Sequence, residues 1–183
     1  DKFPTCPETR VDPELTEAEA AAAGTDHDRI DQRTADVKYL IAAIKSSQIQ
    51  SKPFKSSVHI CQPFRDELFQ KLFEGFPPKP ILYSLGEKRW KGEMDQLTKL
   101  GRKEREKWPN YARDIAAWRR VQSAVFDPRF EEYIFKALGI KAKPERKEIR
   151  IQLDEGGYYI GVHPDNPVKI LTMQFYMPVD DTG

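Results

Sequence analysis

The spacing of apolar residues changes near residue 148, and this change constrains the fold more than any other feature of the chain. Four upstream segments repeat apolar residues every three to four positions, namely 36–49, 63–73, 110–126 and 128–138. Downstream, apolar and polar residues alternate in 149–153, in 158–162 and in 168–178. The first spacing is typical of the buried face of a helix, and alternation is typical of a strand. The sequence therefore predicts an α+β protein whose helices precede a β-rich C-terminal part.

Proline, asparagine and glycine mark the ends of the predicted helices. Pro63 and Pro128 each begin a helix, Asn110 is placed to cap one, and Gly139 ends another. A short strand is predicted at residues 56–61, and a cluster of helix-breaking residues at 75–80 precedes Ile81, Leu82 and Tyr83. Residues 87–107 are rich in charge and poor in periodicity, so a helix and an ordered loop are equally compatible with them.

These boundaries suggest three regions. Residues 1–35 form an acidic N-terminal arm, and residues 36–145 form a helical support region. Residues 146–183 carry the strands of the C-terminal core, and a Gly156-Gly157 break separates the first two of them.

The composition predicts a soluble cytoplasmic protein. No apolar stretch approaches the roughly 18 residues needed to cross a membrane, and residues 1–4 do not open a signal peptide. Cys6 and Cys61 lack metal-ligand spacing, so we read both as reduced thiols.

Charge is distributed unevenly along the chain. Residues 1–36 carry 4 basic and 10 acidic side chains, whereas residues 86–150 carry 18 basic and 11 acidic ones. Four aromatic residues interleave with the basic ones: Trp90, Trp108, Tyr111 and Trp118. They are expected to anchor the core beneath a solvated basic surface. The alternative is a non-catalytic, β-rich module that binds nucleic acid or another anionic partner through this basic middle.

The triplet His163-Pro164-Asp165 ends the second alternating run. Side chains two apart in a strand point the same way, so His163 and Asp165 are expected to converge. An imidazole and a carboxylate are two of the three protein ligands of a 2-His-1-carboxylate iron site. A zinc hydrolase uses similar ligands, but no H-E-x-x-H motif and no cysteine pair accompanies the triplet.

The stretch from Tyr159 to Pro178, which reads YIGVHPDNPVKILTMQFYMP, resembles the Fe(II)/2-oxoglutarate-dependent dioxygenases. The nearest branch is the prolyl-4-hydroxylase-like one, and the resemblance covers about residues 148–183. It implies a double-stranded β-helix, a jelly-roll or cupin-like core, of which residues 146–183 would supply the first half. The helices upstream would pack on that core.

The resemblance also implies roles for six residues. His163 and Asp165 would bind Fe(II), and Tyr176 would donate its hydroxyl to the carboxylate of 2-oxoglutarate. Thr172, Gln174 and Tyr159 would line the pocket of this co-substrate. The implied enzyme is a hydroxylase of an amino acid, a peptidyl residue or another small molecule, and it uses dioxygen and turns 2-oxoglutarate into succinate. Ascorbate is a further candidate cofactor, and neither a membrane nor nucleic acid is an expected partner of the enzyme.

The family also needs a distal histidine and an arginine or lysine that binds the far end of 2-oxoglutarate. Both are expected downstream of Gly183, so the chain is read as part of a longer enzyme, with a naturally truncated, non-catalytic domain as the alternative. His27 and His59 lie upstream; His27 is read as a solvated arm residue, and His59 as a packed or surface residue. Halogenating relatives have a small residue in place of the carboxylate, so Asp165 favours hydroxylation or another oxidation.

Overall fold

The computed structural model describes residues 26–47, 49–50, 57–60, 62–86, 88–158 and 166–177. Its helices are α1 (Asp26–Ser46), α2 (Asp66–Glu74), α3 (Met94–Leu97), α4 (Arg102–Arg105), α5 (Tyr111–Val125) and α6 (Pro128–Leu138). Its strands are β1 (Ile49–Gln50), β2 (Ser57–Val58), β3 (Tyr83–Ser84), β4 (Arg89–Glu93) and β5 (Arg150–Asp154), and a 3₁₀ turn spans Lys79–Ile81. The helices and the small antiparallel sheet confirm the α+β class. None of the helices among these residues combines the length and the apolar composition that crossing a membrane requires.

Two units divide the chain. The first, which we call the helical unit, comprises residues 1–65 and 127–139. In its described part α1 packs against α6, and β1 pairs antiparallel with β2. The two helices bury Val37, Leu40 and Ile44 from α1, and Phe130 and Ile134 from α6. Their spacing of three to four residues places each set on one helix face, as the sequence predicts.

The ends of the first and last helices explain one success and one error of the sequence-based prediction. Helix α6 begins at Pro128 and is followed by Gly139, whose φ of 68° is a left-handed conformation that favours glycine, so both predicted limits are confirmed. Helix α1 begins at Asp26, ten residues before the predicted start, within the region predicted as an arm. The first turns of α1 lack apolar periodicity, which is why the apolar repeat alone placed its start too late.

The second unit, which we call the sheet unit, comprises residues 66–126 and 140–183. Helix α2 contacts α5, and a three-stranded antiparallel sheet has the order β3-β4-β5. Its core includes Leu68, Leu72, Met94, Leu97, Trp108, Ile115, Trp118, Val121 and Ile151. The strand predicted at 149–153 is confirmed as β5.

The central strand β4 corrects the prediction for residues 87–107, which allowed only a helix or a loop. Charged residues alternate there with Trp90 and Gly92, so one apolar position is hidden by a glycine. The register pairs Gly92 with Ile151, and a Cβ atom at residue 92 would lie 2.7 Å from Cδ2 of Leu82. Glycine stands there because neighbouring side chains already fill the space.

The strand predicted at 168–178 is a second correction, since residues 166–177 form no strand. A strand is stable only when a neighbouring strand pairs with its backbone groups. The described part of the chain contains no strand that pairs with this segment. Alternation of side chains alone therefore overestimated the strand content.

Candidate functional site

The six residues predicted to form the site divide into two sets. Tyr159, His163 and Asp165 lie outside the described residues. The structure describes Thr172, Gln174 and Tyr176, and all three side chains are exposed, with Tyr176 80% exposed. The structure therefore gives geometry for the predicted co-substrate residues that follow the triplet.

Gln174 and Tyr176 lie on the same side of the backbone. The Tyr176 hydroxyl donates a hydrogen bond of 2.6 Å to Oε1 of Gln174. The intervening Phe175 is less exposed than either of them, as is Met177. The segment therefore keeps the alternation of polar and apolar side chains although it forms no strand, and it presents a hydroxyl beside a carboxamide.

The chain turns at Asn166, directly after the predicted metal ligands. The side chain of Asn166 accepts a hydrogen bond from the backbone N–H of Val168 at 3.1 Å. The backbone carbonyl oxygen of Asn166 accepts a hydrogen bond from the backbone N–H of Lys169 at 2.9 Å. Asparagine favours this geometry because its short side chain bonds to the backbone two residues on. The two hydrogen bonds form a turn at residues 166–169.

A second turn, at residues 154–158, lies between β5 and the predicted metal ligands. The backbone N–H of Tyr158 donates to the carbonyl of Glu155 at 2.9 Å, and Gly157 has a φ of 78°. Only glycine adopts such a φ without strain. This turn, which we call the β5 turn, directs the chain from the sheet toward Tyr159.

Two basic side chains, Arg89 and Lys79, bind acidic residues of the β5 turn, and no sequence motif identifies them. Arg89 donates two hydrogen bonds to Asp154, at 2.7 Å from Nε to Oδ1 and 2.9 Å from Nη2 to Oδ2. The hydrogen bonds from Arg89 hold the pKa of Asp154 below its usual value, and those bonds raise the pKa of Arg89. Lys79 pairs with Glu155 at 2.6 Å. No local sequence signal links these residues, because the pairs are 65 and 76 positions apart.

Trp108 and Trp118 of the basic middle are core anchors, as expected, whereas Trp90 and Tyr111 are half-buried. Trp108 is 3% exposed and its indole donates to Oδ2 of Asp114 at 2.7 Å. Trp118 is 7% exposed and its indole donates to the carbonyl of Gly75 at 3.0 Å. Rings buried in this way do not offer a face on which a nucleic-acid base could stack.

An open depression of about 640 Å³ lies beside Trp108 and is lined by Arg102, Arg105 and Glu106 among others. Its charged side chains are engaged with the protein. Arg102 pairs with Glu106 at 3.5 Å, and Nε of Arg105 donates to the carbonyl of Leu100 at 2.7 Å. The lining contains no histidine or cysteine.

Within the described ranges, no three histidine, cysteine, aspartate or glutamate side chains gather closely enough to hold a metal ion. His59 is an exposed side chain there, which selects the surface alternative of the two that the sequence allowed. His163 and Asp165 thus stay the predicted metal ligands. Comparison with models of known protein families, with curated proteins and with solved structures finds no match to this chain.

Proposed function

We propose that this chain carries part of the active site of a non-heme Fe(II)- and 2-oxoglutarate-dependent oxygenase, a hydroxylase. The observation that carries the proposal is the order of functional groups along the sequence. His163 and Asp165 come first, a turn follows, and Gln174 and Tyr176 then present their polar groups on one side of the backbone. The resemblance to the prolyl-4-hydroxylase-like branch assigns metal binding to the first pair and co-substrate binding to the second.

The proposed core is a double-stranded β-helix to which residues 146–183 contribute. Strand β5 pairs on one edge with β4, and this supports its place in a larger sheet. Residues 174–177 retain the alternation that a strand of such a core needs, with Phe175 and Met177 less exposed than Gln174 and Tyr176, although Met173 is exposed. Further strands would supply the backbone partners.

The types of donor group fit the proposed metal. An imidazole nitrogen of His163 and a carboxylate oxygen of Asp165 are ligands that Fe(II) accepts, and the family adds a second histidine. When bound, Fe(II) activates dioxygen with electrons from the oxidative decarboxylation of 2-oxoglutarate to succinate, and ascorbate would keep the metal in its ferrous state.

The residues after the triplet would bind and orient 2-oxoglutarate. The exposed hydroxyl of Tyr176, now donated to Gln174, would instead donate to a carboxylate oxygen of the co-substrate. Thr172 and Tyr159 would line the same pocket. The proposed substrates are an amino acid, a peptidyl residue or another small molecule, and the proposed compartment is the cytoplasm.

The test is the consumption of 2-oxoglutarate by the full-length protein with Fe(II) and dioxygen. Asp165→Ala should abolish succinate formation, because the metal loses its only proposed carboxylate ligand. Asp95→Ala is the matched control, since Asp95 is an exposed carboxylate on α3 and should leave the rate unchanged. Succinate formation by Asp165→Ala at the wild-type rate would remove Asp165 from the metal site.

The non-catalytic binding module predicts a different result. It would bind nucleic acid in a strongly salt-dependent manner and would not need iron. The burial of Trp108 and Trp118 weighs against it, because two of the four aromatic residues that suggested a stacking surface lie in the core.

A further inference from the structure

The open depression beside Trp108 belongs to the sheet unit and has the size of a small-molecule site. Its volume of about 640 Å³ falls within the roughly 300–1,000 Å³ that is typical of such sites. Three charged side chains contribute to the lining, namely Arg102, Arg105 and Glu106, and the apolar groups come from Leu100, Trp108, Pro109, Tyr111 and Ala112. A mostly apolar lining with a few charged groups is typical of a site that binds and orients a small ligand.

The guanidinium of Arg105 is held in place but keeps its terminal nitrogens available. Its Nε donates to the carbonyl of Leu100 at 2.7 Å, and its central carbon lies 5.0 Å from the ring centre of Tyr111. In the part of the chain that the structure describes, neither terminal nitrogen makes a hydrogen bond. A guanidinium fixed in this way can bind both oxygens of a ligand carboxylate through paired N–H donors.

Helix α5 begins beside the same depression. Tyr111 and Ala112 from its first turn belong to the lining, and Asn110 at the N-cap makes no side-chain hydrogen bond to that turn. The first N–H groups of a helix have no carbonyl partner within it, and the helix dipole is positive there. Asp114, the acidic residue of this turn, is buried and bonded within the core. A carboxylate bound by Arg105 would therefore also be stabilised by the positive end of α5.

Glu106 adds a carboxylate to the lining, and its partner within the protein binds it weakly. Its Oε1 lies 3.5 Å from Nε of Arg102, and the side chains of Arg102 and Glu106 are 94% and 66% exposed. Exposed ion pairs contribute little free energy, because water solvates both charges well. The ammonium of a ligand can therefore replace Arg102 beside Glu106 at small cost.

We propose that this depression is a binding site for a free α-amino acid with an apolar side chain. The ligand carboxylate binds Arg105 and the first turn of α5, the ligand ammonium binds Glu106, and the ligand side chain packs on the apolar lining. A purely anionic ligand would be repelled by Glu106, and a purely cationic one by Arg105. The inference does not rest on the proposed function, because it uses none of the residues proposed to bind Fe(II) or 2-oxoglutarate.

The first experiment varies the ligand. Saturation-transfer NMR measures the Kd of L-phenylalanine for the full-length protein and the Kd of two analogues that each lack one charge. N-acetyl-L-phenylalanine has no ammonium, and L-phenylalaninamide has no carboxylate. L-phenylalanine should bind saturably, and the Kd of each analogue should be about tenfold higher, because each analogue loses hydrogen bonds to one charged group.

The second experiment varies the protein. Arg105→Met should raise the Kd of L-phenylalanine about tenfold and bring it close to the Kd of L-phenylalaninamide, since the variant no longer recognises the carboxylate. Glu106→Gln should remove the preference for L-phenylalanine over N-acetyl-L-phenylalanine in the same way. Arg146→Met is the matched control, because it removes an exposed arginine from the ion pair with Glu148 in the same unit, and it should bind as the wild type does.

Three results would overturn the proposal. The first is the absence of saturable binding of L-phenylalanine to the wild type. The second is the same Kd for L-phenylalanine and both analogues, which would show that apolar contact alone binds them. The third is a Kd of L-phenylalanine that neither Arg105→Met nor Glu106→Gln changes, which would place the ligand elsewhere, the proposed active site included. If Arg105→Met unfolds, as its thermal midpoint would show, the decision rests on Glu106→Gln at its exposed position.

Discussion

The carboxylate of Asp127 is the charged group whose contribution to stability can be worked out most directly. It is 3% exposed and lies at the N-terminus of α6. It accepts hydrogen bonds from the backbone N–H and from Nε of Arg129, both at 2.9 Å, and pairs with Nε of Arg33 at 2.7 Å. The hydrogen bond from the Arg129 side chain, with further help from the backbone N–H and the charge of Arg33, lowers the pKa of Asp127 from 3.8 to about 2.

This lowered pKa is equivalent to a contribution to folding. Each unit of difference between the pKa of Asp127 in the unfolded state and in the folded state corresponds to about 1.4 kcal/mol. The charged state of Asp127 therefore stabilises the fold by roughly 2 kcal/mol. The side chains of Arg33 and Arg129 are 44% and 54% exposed, and solvent screening reduces the figure to about 1–2 kcal/mol. Because the folded pKa is depressed, the contribution is complete well above pH 3.8 and is lost as the pH falls toward 2. About half of it should be gone near pH 3.

Asp127→Asn tests this reasoning, because asparagine keeps an oxygen that can cap α6 but carries no charge. Urea unfolding followed by circular dichroism should show a loss of about 1–2 kcal/mol at pH 7 and about half that loss at pH 3. Asp31→Asn is the control, an exposed aspartate on α1 of the same unit, and should change stability little at either pH. An Asp127→Asn loss that is the same at both pH values would refute the electrostatic explanation.

Two further substitutions test the site and the core. Tyr176→Phe should raise the KM for 2-oxoglutarate more than it lowers kcat, because the hydroxyl is proposed to bind the co-substrate. Steady-state kinetics measure both quantities, and an unchanged KM would show that Tyr176 does not line that pocket. Trp118→Phe should reduce the free energy of unfolding by about 2 kcal/mol, since it leaves the buried carbonyl of Gly75 without its indole donor and leaves a cavity. A loss below about 0.5 kcal/mol in urea unfolding would show that the core closes around the smaller ring.

The helices were predictable because their signals are local. Pro128 and Gly139 act through their own backbone geometry, and both limits of α6 follow from them. The start of α1 was missed because residues 26–35 are polar and carry no apolar repeat. Strand β4 was missed because Gly92 replaces an apolar residue where Leu82 and Leu97 fill the space, and that requirement comes from distant parts of the chain.

The candidate site shows the same division between local and long-range information. The side chains of Gln174 and Tyr176 share one side of the backbone, as their spacing of two predicts, and Asn166 forms the turn expected from its residue type. Arg89 and Lys79 could not be assigned to the β5 turn from sequence, because their partners become neighbours only through the pairing of β4 with β5. The prediction of a strand at 168–178 is wrong for its described residues, because alternation of apolar and polar side chains does not supply a neighbouring strand to pair with.

The burial of the tryptophans has a practical consequence. The chain has three tryptophans, at positions 90, 108 and 118, and all of them belong to the sheet unit. Intrinsic tryptophan fluorescence therefore reports on that unit alone, whereas circular dichroism is dominated by helices of both units. Recording both signals during one denaturant titration assigns each unfolding transition to its unit without any added label.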